Sequence, residues 1–465
     1  MNAPHRLSAA TLSLLPSQIG RADHPREAQA PAIVHFGIGA FHRAHQAWYT
    51  DRAAVIDGMA WTITGVSMRS ASVADQLNPQ DGLYSITTCS AQSRSVEVLQ
   101  SVQTVLVASR EPDAVIAAIA SPHTHILTFT VTEKGYCRTA DGSIDRTAAE
   151  SGSIYPLLEA GLKVRAQKGL PGLTLLSCDN LANNGRQLEA LLVDFVAARD
   201  PDLAQWIAAQ CRFPCAMVDR IVPATTAQDR TAAALALGQT DEGAVVTEPF
   251  SQWVIEDRFA GPRPAWDQVG AELVADVAPY EMAKLRMLNG AHSALAYLGL
   301  ARGHGFVHEA VADPAIRPVV EALMRDEALP SIIAASDQDL SAYADALLDR
   351  FANPALNHRL IQIAMDGSQK IPQRWLETLA HHQQKDKACP AILAALAAWR
   401  AHLRGDNVPV WGPVEDPIAD RLTPLAQQDD AAFARALFGA DGLFAAFWTA
   451  NAMSMEQLMA ALARA

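Results

Sequence analysis

The chain has 465 residues, half of them hydrophobic and 19% charged, with a formal net charge of -13. That length suits two domains better than one core. The composition excludes a disordered tail, a collagen and a coiled-coil rod, and the acidic balance excludes a broad nucleic-acid-binding face, which needs a basic surplus.

In chain order, the opening stretch (residues 1–16, MNAPHRLSAATLSLLP) lacks a signal-peptide apolar core and cleavage site. It is expected to lie as an arm on the folded body. Residues 32–36 (AIVHF) form a short apolar run that ends in glycine. Further runs follow at 61–66 (WTITGV), 126–132 (ILTFTVT) and 173–177 (LTLLS), the last leading into Cys178-Asp179-Asn180. Helical patterns lie between the third and fourth runs and at 185–198. Runs buried on both faces, alternating with helices, predict a doubly wound parallel sheet of the α/β class. From about residue 279 helical periodicity dominates, at 282–298, 310–324, 340–351, 391–402, 431–438 and 442–463. That predicts an all-helical second domain. The expected domains are 1–275, with the arm, and 276–465.

No run of about 18 apolar residues marks a membrane span. Cys89, Cys137, Cys178, Cys211, Cys215 and Cys389 are scattered without a CxxC pair, so reduced structural thiols and a cytoplasmic protein are expected.

The run at 32–36 feeds directly into Gly37-Ile38-Gly39. Glycines after a strand and before a helix let a pyrophosphate approach backbone N–H groups. This marks a dinucleotide-binding, Rossmann-type domain, with Gly37, Ile38, Gly39 and Phe41 as coenzyme-binding candidates. His42 stands where the third glycine of GxGxxG is expected. The second strand is followed by Ser67-Met68-Arg69 and not by the carboxylate that would bond the ribose of NAD. NAD is the expected coenzyme, with NADP left open by Ser67 and Arg69. His35, His42 and His45 have no nearby carboxylate or Cys pattern. They are expected to hydrogen-bond around the turn, with no metal.

Residues 279–299 read as a helix that carries Lys284, Arg286, Asn289 and His292 among Met, Leu and Ala. In an apolar cleft, desolvation lowers a lysine's pKa and makes it a general base. An amide such as Asn289 donates to a developing alkoxide, and a neutral His292 orients a hydroxyl. On an α-helix, however, His292 would lie about 80° and Asn289 about 140° from Lys284, with Lys284 and His292 about 12 Å apart along the axis. One regular helix therefore does not stack the three. Asn180 is expected at the carboxyl end of a strand, where doubly wound sheets bind ligands. As plain structural readings, Asn180 caps a turn, Asp219 pairs with Arg220, Glu133 forms a turn, and Arg359 and Lys370 are solvated.

GIGAFHRAH (37–45), TVTEKGY (130–136), SCDNLANNG (177–185), MVDRIVPAT (217–225), KLRMLNGAH (284–292) and QIAMDGSQKIPQR (362–374) together resemble the mannitol dehydrogenase family of polyol-specific long-chain dehydrogenases. The resemblance implies a Rossmann-type domain, a helical domain and metal-independent hydride transfer in the cleft between them. It assigns Lys284 as catalytic base, Asn180 and Asn289 as oxyanion donors and His292 as substrate-positioning. Asp219 joins this set, Glu281 is a gate on the proton path, and Lys370 binds substrate. Glu133 is placed near the nicotinamide.

The wording of HRLIQIAMDGSQKIPQRW, EPFSQWVIEDRF and FPCAMVDRIVPAT resembles the fructuronate reductase (mannonate oxidoreductase) branch most. That implies D-mannonate and D-fructuronate as substrates, with Arg359, Lys370 and Arg374 as candidates to meet the carboxylate. D-mannitol and D-fructose are the alternative, and a non-catalytic nucleotide-binding protein is the alternative from another class. The expected partner is a small sugar acid or polyol.

Overall fold

The computed structural model describes residues 5–22, 32–58, 61–139, 141–336, 338–406 and 408–464. The chain divides into two compact units, Met1–Ala278 and Pro279–Ala465. In the first unit Ala32–Phe36, Thr62–Ser67, Val102–Val107, Thr124–Phe129 and Thr174–Ser177 form an all-parallel sheet. Numbered along the chain, these five strands lie in the order 3-2-1-4-5, the order of dinucleotide-binding sheets. Alternation explains the two layers that cover it. Ile33, Ile63, Ile126 and Leu176 enter one core, while Val34, Phe36, Leu127, Phe129 and Leu175 enter another, because successive strand side chains point to opposite faces. Leu158, Leu162, Leu188 and Leu192, on helices Tyr155–Gln167 and Asn184–Ala197, cover the second face. Helix Gln46–Asp57 and the indoles of Trp253 and Trp266 cover the first.

Three sequence expectations need correction here. The third strand of the sheet, Val102–Val107 (VQTVLV), was not predicted, because Gln103 and Thr104 interrupt its apolar run. The strand expected at 126–132 is Thr124–Phe129, and Thr132 lies outside it at φ 65°. The antiparallel hairpin Tyr84–Cys89/Arg94–Leu99 also escaped, since Arg94 and Ser95 on its second strand face solvent. Residues 1–4 of the expected arm lie outside the described residues. Further along the arm, Leu7 packs with Leu83, Val98 and Leu237, and its N–H bonds Thr240 O at 2.9 Å.

The second unit is helical. Gly290–Ala301 (GAHSALAYLGLA) is buried almost all round, and its small residues admit Leu360–Ala364 and Pro390–Arg404 at close range. The helix expected at 282–298 is in three pieces: Ala278–Ala283, a π-helical turn Lys284–Asn289, and Gly290–Ala301. The one expected at 310–324 breaks at Asp313-Pro314 into Val307–Ala312 and Arg317–Ala322, since proline cannot continue the ladder. Two more π-turns follow, Leu323–Ala328 and Pro372–Leu376. Leu340–Phe351 has the expected bounds, whereas the helix expected at 442–463 is confined to Ala452–Leu462. No helix among the described residues is long and apolar enough to cross a membrane.

Glu327 fastens two of these pieces together. Its carboxylate accepts the N–H groups of Ala391 (2.7 Å) and Ile392 (2.8 Å), capping Pro390–Arg404, whose own N-cap, Cys389, makes no side-chain cap bond. Burial pushes the Glu327 carboxyl up to about 7, against the two N–H donors that lower it. The folded state therefore holds this proton more tightly than the unfolded chain. The stability that this contributes is complete below pH 4.5 and is lost as pH rises through about 7. Comparing Tm across that window, wild type is expected to fall relative to Glu327→Gln as pH rises, and parallel curves would contradict this. Glu327→Ala, which strands two buried N–H groups, should cost about 1–3 kcal/mol.

Candidate active site

In the first unit the site is built at the carboxyl ends of the strands. Gly37 turns the chain at φ 96°, and a Cβ there would lie 2.1 Å from Thr130 O. Gly65, inside the second strand, leaves room for Ile38, whose Cγ1 would lie 2.9 Å from a Cβ at that position. A strand glycine of this kind marks a close approach, a signal already present in the sequence TITGVS. Helix Ala40–Ala44 starts at once, and its N-cap Gly39 brings no side chain to cover the first-turn N–H groups.

The three histidines support this turn. The His35 ring nitrogens meet Thr128 Oγ1 (2.8 Å), Thr130 Oγ1 (3.0 Å) and Gly37 O (3.2 Å), and the ring stacks on His42. His45 Nε2 donates to Gln252 O at 2.9 Å. Among the described residues no group of three or more His, Cys, Asp or Glu is placed to hold a metal ion.

A cavity of about 730 Å³ opens over the turn, lined by Gly37, Ile38, Gly39, Ser67, Arg69 and Lys134 among others, with no Asp or Glu among the described residues of its lining. Phe41 and Glu133, also expected here, are not part of that lining. Glu133 is exposed at the start of the turn Glu133–Tyr136. After the fifth strand, Asp179 is buried and Asn180 is exposed. Asp219 is buried at the end of strand Ala216–Asp219, and the neighbouring Arg220 donates to Ala44 O (2.5 Å) and Glu248 O (3.1 Å).

In the second unit the π-turn changes the geometry expected of a regular helix. Its ladder closes i→i+5, as in Gly290 N–H to Leu285 O. Residues five apart then take the relation that residues four apart have in an α-helix, so Lys284 and Asn289 share a face. His292, three residues further along the α-helix that follows, continues that face. Lys284 and Asn289 are half-buried, and Glu281, also half-buried, precedes them on Ala278–Ala283. His292 is 7% exposed, against Phe351 and His358 at ring-centroid distances of 4.7 and 5.2 Å. Burial, and then neighbouring His358 and the charges of Arg350, Arg374 and Lys284, hold its pKa well below the usual histidine range. The ring is neutral, and its buried Nε2 has no hydrogen-bond partner among the described residues.

The π-turn is held by side chains that the sequence analysis did not single out for that purpose. Arg374 donates to Asn289 O (3.2 Å) and Ser293 Oγ (2.7 Å), and Trp375 Nε1 donates to Gly290 O (3.1 Å). Arg286 donates to Ser331 O (2.7 Å) and pairs with Glu377 at 3.0 Å.

Residues 31–268 match the mannitol dehydrogenase Rossmann domain, and residues 276–464 match the mannitol dehydrogenase C-terminal domain. The chain belongs to the mannitol dehydrogenase family. It is an oxidoreductase of that family. It is 41% identical to the D-mannonate oxidoreductase of Escherichia coli K12, over 89% of this chain and 88% of that one. It is 35% identical to the mannitol 2-dehydrogenase of Phaeosphaeria nodorum, over 94% and 82%. The structure of Pseudomonas fluorescens mannitol 2-dehydrogenase, a ternary complex with NAD and D-mannitol, superposes with a TM-score of 0.85 at 33% identity, covering 99% of this chain and 96% of that one.

Of the cations expected to meet a substrate within the family's C-terminal domain, Arg359 is exposed at the start of Leu360–Ala364. Lys370 turns its ammonium onto Met365 O (2.5 Å) and Ile363 O (3.3 Å). Arg374, as described, is bonded to the Lys284–Asn289 turn.

Proposed function

We propose that this oxidoreductase interconverts a secondary alcohol and a ketone on a sugar acid with NAD(H), and that its substrate pair is D-mannonate and D-fructuronate. The observation that carries the reading is the π-turn, which sets an amine and an amide on one face with a neutral imidazole beyond them. Neutral Lys284 takes the hydroxyl proton, and its protonated form returns it to the ketone oxygen. The amides of Asn180 and Asn289 donate to that oxygen as it gains charge. His292 offers an uncommitted ring nitrogen to a substrate hydroxyl. Glu281, just before Lys284, gates the proton path, and Asp219 completes the set. NAD, when bound, supplies or accepts the hydride.

The first unit suits that coenzyme. Its cavity lies within the usual small-molecule range of roughly 300–1,000 Å³, and the Gly39 end of helix Ala40–Ala44 offers N–H groups to a pyrophosphate. For the carboxylate of a hexuronate we assign Arg374, which is already bonded to the turn carrying Lys284. The 41% identity to a D-mannonate oxidoreductase supports the choice of substrate. D-mannitol and D-fructose are the second reading, favoured by the likeness to a complex that holds D-mannitol.

NADH oxidation followed with fructuronate and fructose side by side separates the two readings. A higher kcat/KM for fructuronate is expected, and a clear preference for fructose would overturn the assignment. Because no carboxylate among the described residues lines the cavity, none of those residues repels a 2′-phosphate, and NADPH should be accepted beside NADH. Ser67→Asp is expected to shift the ratio of NADH to NADPH kcat/KM toward NADH by about tenfold or more. An unchanged ratio would show that Ser67 does not face the ribose.

A further inference from the structure

We propose that Asp179 is a positioning residue for the coenzyme, a buried carboxylate that clamps the 131–136 wall of the Gly37 cavity in a conformation the backbone does not favour by itself. The inference rests on reading that cavity as the coenzyme site.

Thr132 sits at φ 65° and ψ 165°. A β-branched residue in that region is strained and persists only where its surroundings hold it. The hold is visible. Asp179 Oδ1 accepts the Thr132 N–H at 2.9 Å, and Oδ2 accepts the Val131 N–H at 3.1 Å and the Tyr136 hydroxyl at 2.9 Å. Ser177 Oγ meets the same hydroxyl at 2.5 Å. One carboxylate thus ties both ends of the turn Glu133–Tyr136 to the end of the fifth strand. Val131, Thr132, Lys134 and Gly135 all line the cavity. Asp179 is also the residue before Asn180, so the same clamp fixes the start of that bend.

The bonds to Thr132 and Val131 require an acceptor, and charge strengthens them. The groups that face the carboxylate are Tyr136, Ser177, the Thr132 and Val131 N–H groups, Glu133 and Cys178. None of these groups is a cation. Burial raises the Asp179 carboxyl to about 6, and the Tyr136 hydroxyl is the largest of the influences that lower it. The clamp is therefore weakened by protonation near the acid edge of the physiological range, while a neutral amide at 179 has no such dependence.

The test is NADH binding, followed by fluorescence titration from pH 5 to 8 in the full-length protein. Wild type should bind NADH well at pH 7.5 and lose affinity as pH falls through about 6. Asp179→Asn should bind about tenfold more weakly at pH 7.5, having lost charge-assisted bonds to the wall, and its affinity should be flat across the acid range. Tyr136→Phe removes one donor and keeps the carboxylate, so its acid limb should move to higher pH. That variant serves where Asp179→Asn folds poorly, and a merely structural role would not move the limb. Equal affinity and an equal acid limb in wild type and both variants would overturn the proposal. Failure of wild type to bind NADH at any pH would instead overturn the reading of the cavity.

Discussion

Replacing Lys284 by alanine is expected to lower kcat by about 10³-fold or more, in line with the removal of a general base, while NADH binding stays within about twofold, since Lys284 belongs to the second compact unit and the cavity is built from residues of the first. Lys284, Asn289 and His292 share a face because the ladder widens by one residue between Lys284 and Asn289. The amine is the one group of the three able to carry a proton both ways, because burial keeps His292 neutral and an amide does not titrate. Small primary amines added to Lys284→Ala should restore part of the lost rate, more so as pH rises and the free base accumulates. A variant that retains wild-type kcat, or that loses NADH affinity in proportion to turnover, would contradict the assignment.

The second large effect is expected at the glycine turn. Gly37→Ala puts a Cβ 2.1 Å from the Thr130 carbonyl oxygen at φ 96°, so either strand Ala32–Phe36 or the bend at Thr130 must give way. That bend also carries Thr130 Oγ1, which donates to Gly37 O at 2.8 Å. A loss of about 3 kcal/mol of stability, together with loss of NADH binding, is the expected result. Gly39→Ala is the control. Its nearest neighbour would be Gly37 O at 3.8 Å, and its φ of -82° suits any residue. Its Tm should change little, while its methyl group enters the space over the helix N-terminus and raises the KM for NADH. Equal Tm values for the two variants would show that the Gly37 bend is not constrained as described.

The sheet was legible where its strands are buried on both faces. AIVHF, WTITGV and LTLLS announce themselves because neither face tolerates a polar residue without a partner, and the one polar side chain in AIVHF, His35, has Thr128 beside it. Val102–Val107 and the hairpin after Tyr84 were not legible. Polar residues break their apolar runs: half-buried Gln103 and Thr104 in the one, exposed Arg94 and Ser95 with buried Ser85 and Thr87 in the other. Lys284, Asn289 and His292 stand out in the sequence as candidates by residue type, but their geometry does not. A π-turn leaves no periodic mark in KLRMLN. What holds it, Arg374 and Trp375 bonding to Asn289 O and Gly290 O, comes from residues more than eighty positions away. Asp179 was passed over for the same reason, since its partners at 131, 132 and 136 lie on another loop.

Direct hydride exchange between the coenzyme and a sugar carbon is the central step of the proposed reaction. Wild-type protein supplied with NADH deuterated at both C4 positions, and with fructuronate in ordinary water, should yield mannonate carrying one deuterium on the new carbinol carbon, with the same yield in the presence of a strong chelator. Product without deuterium, or a reaction that the chelator abolishes, would contradict it.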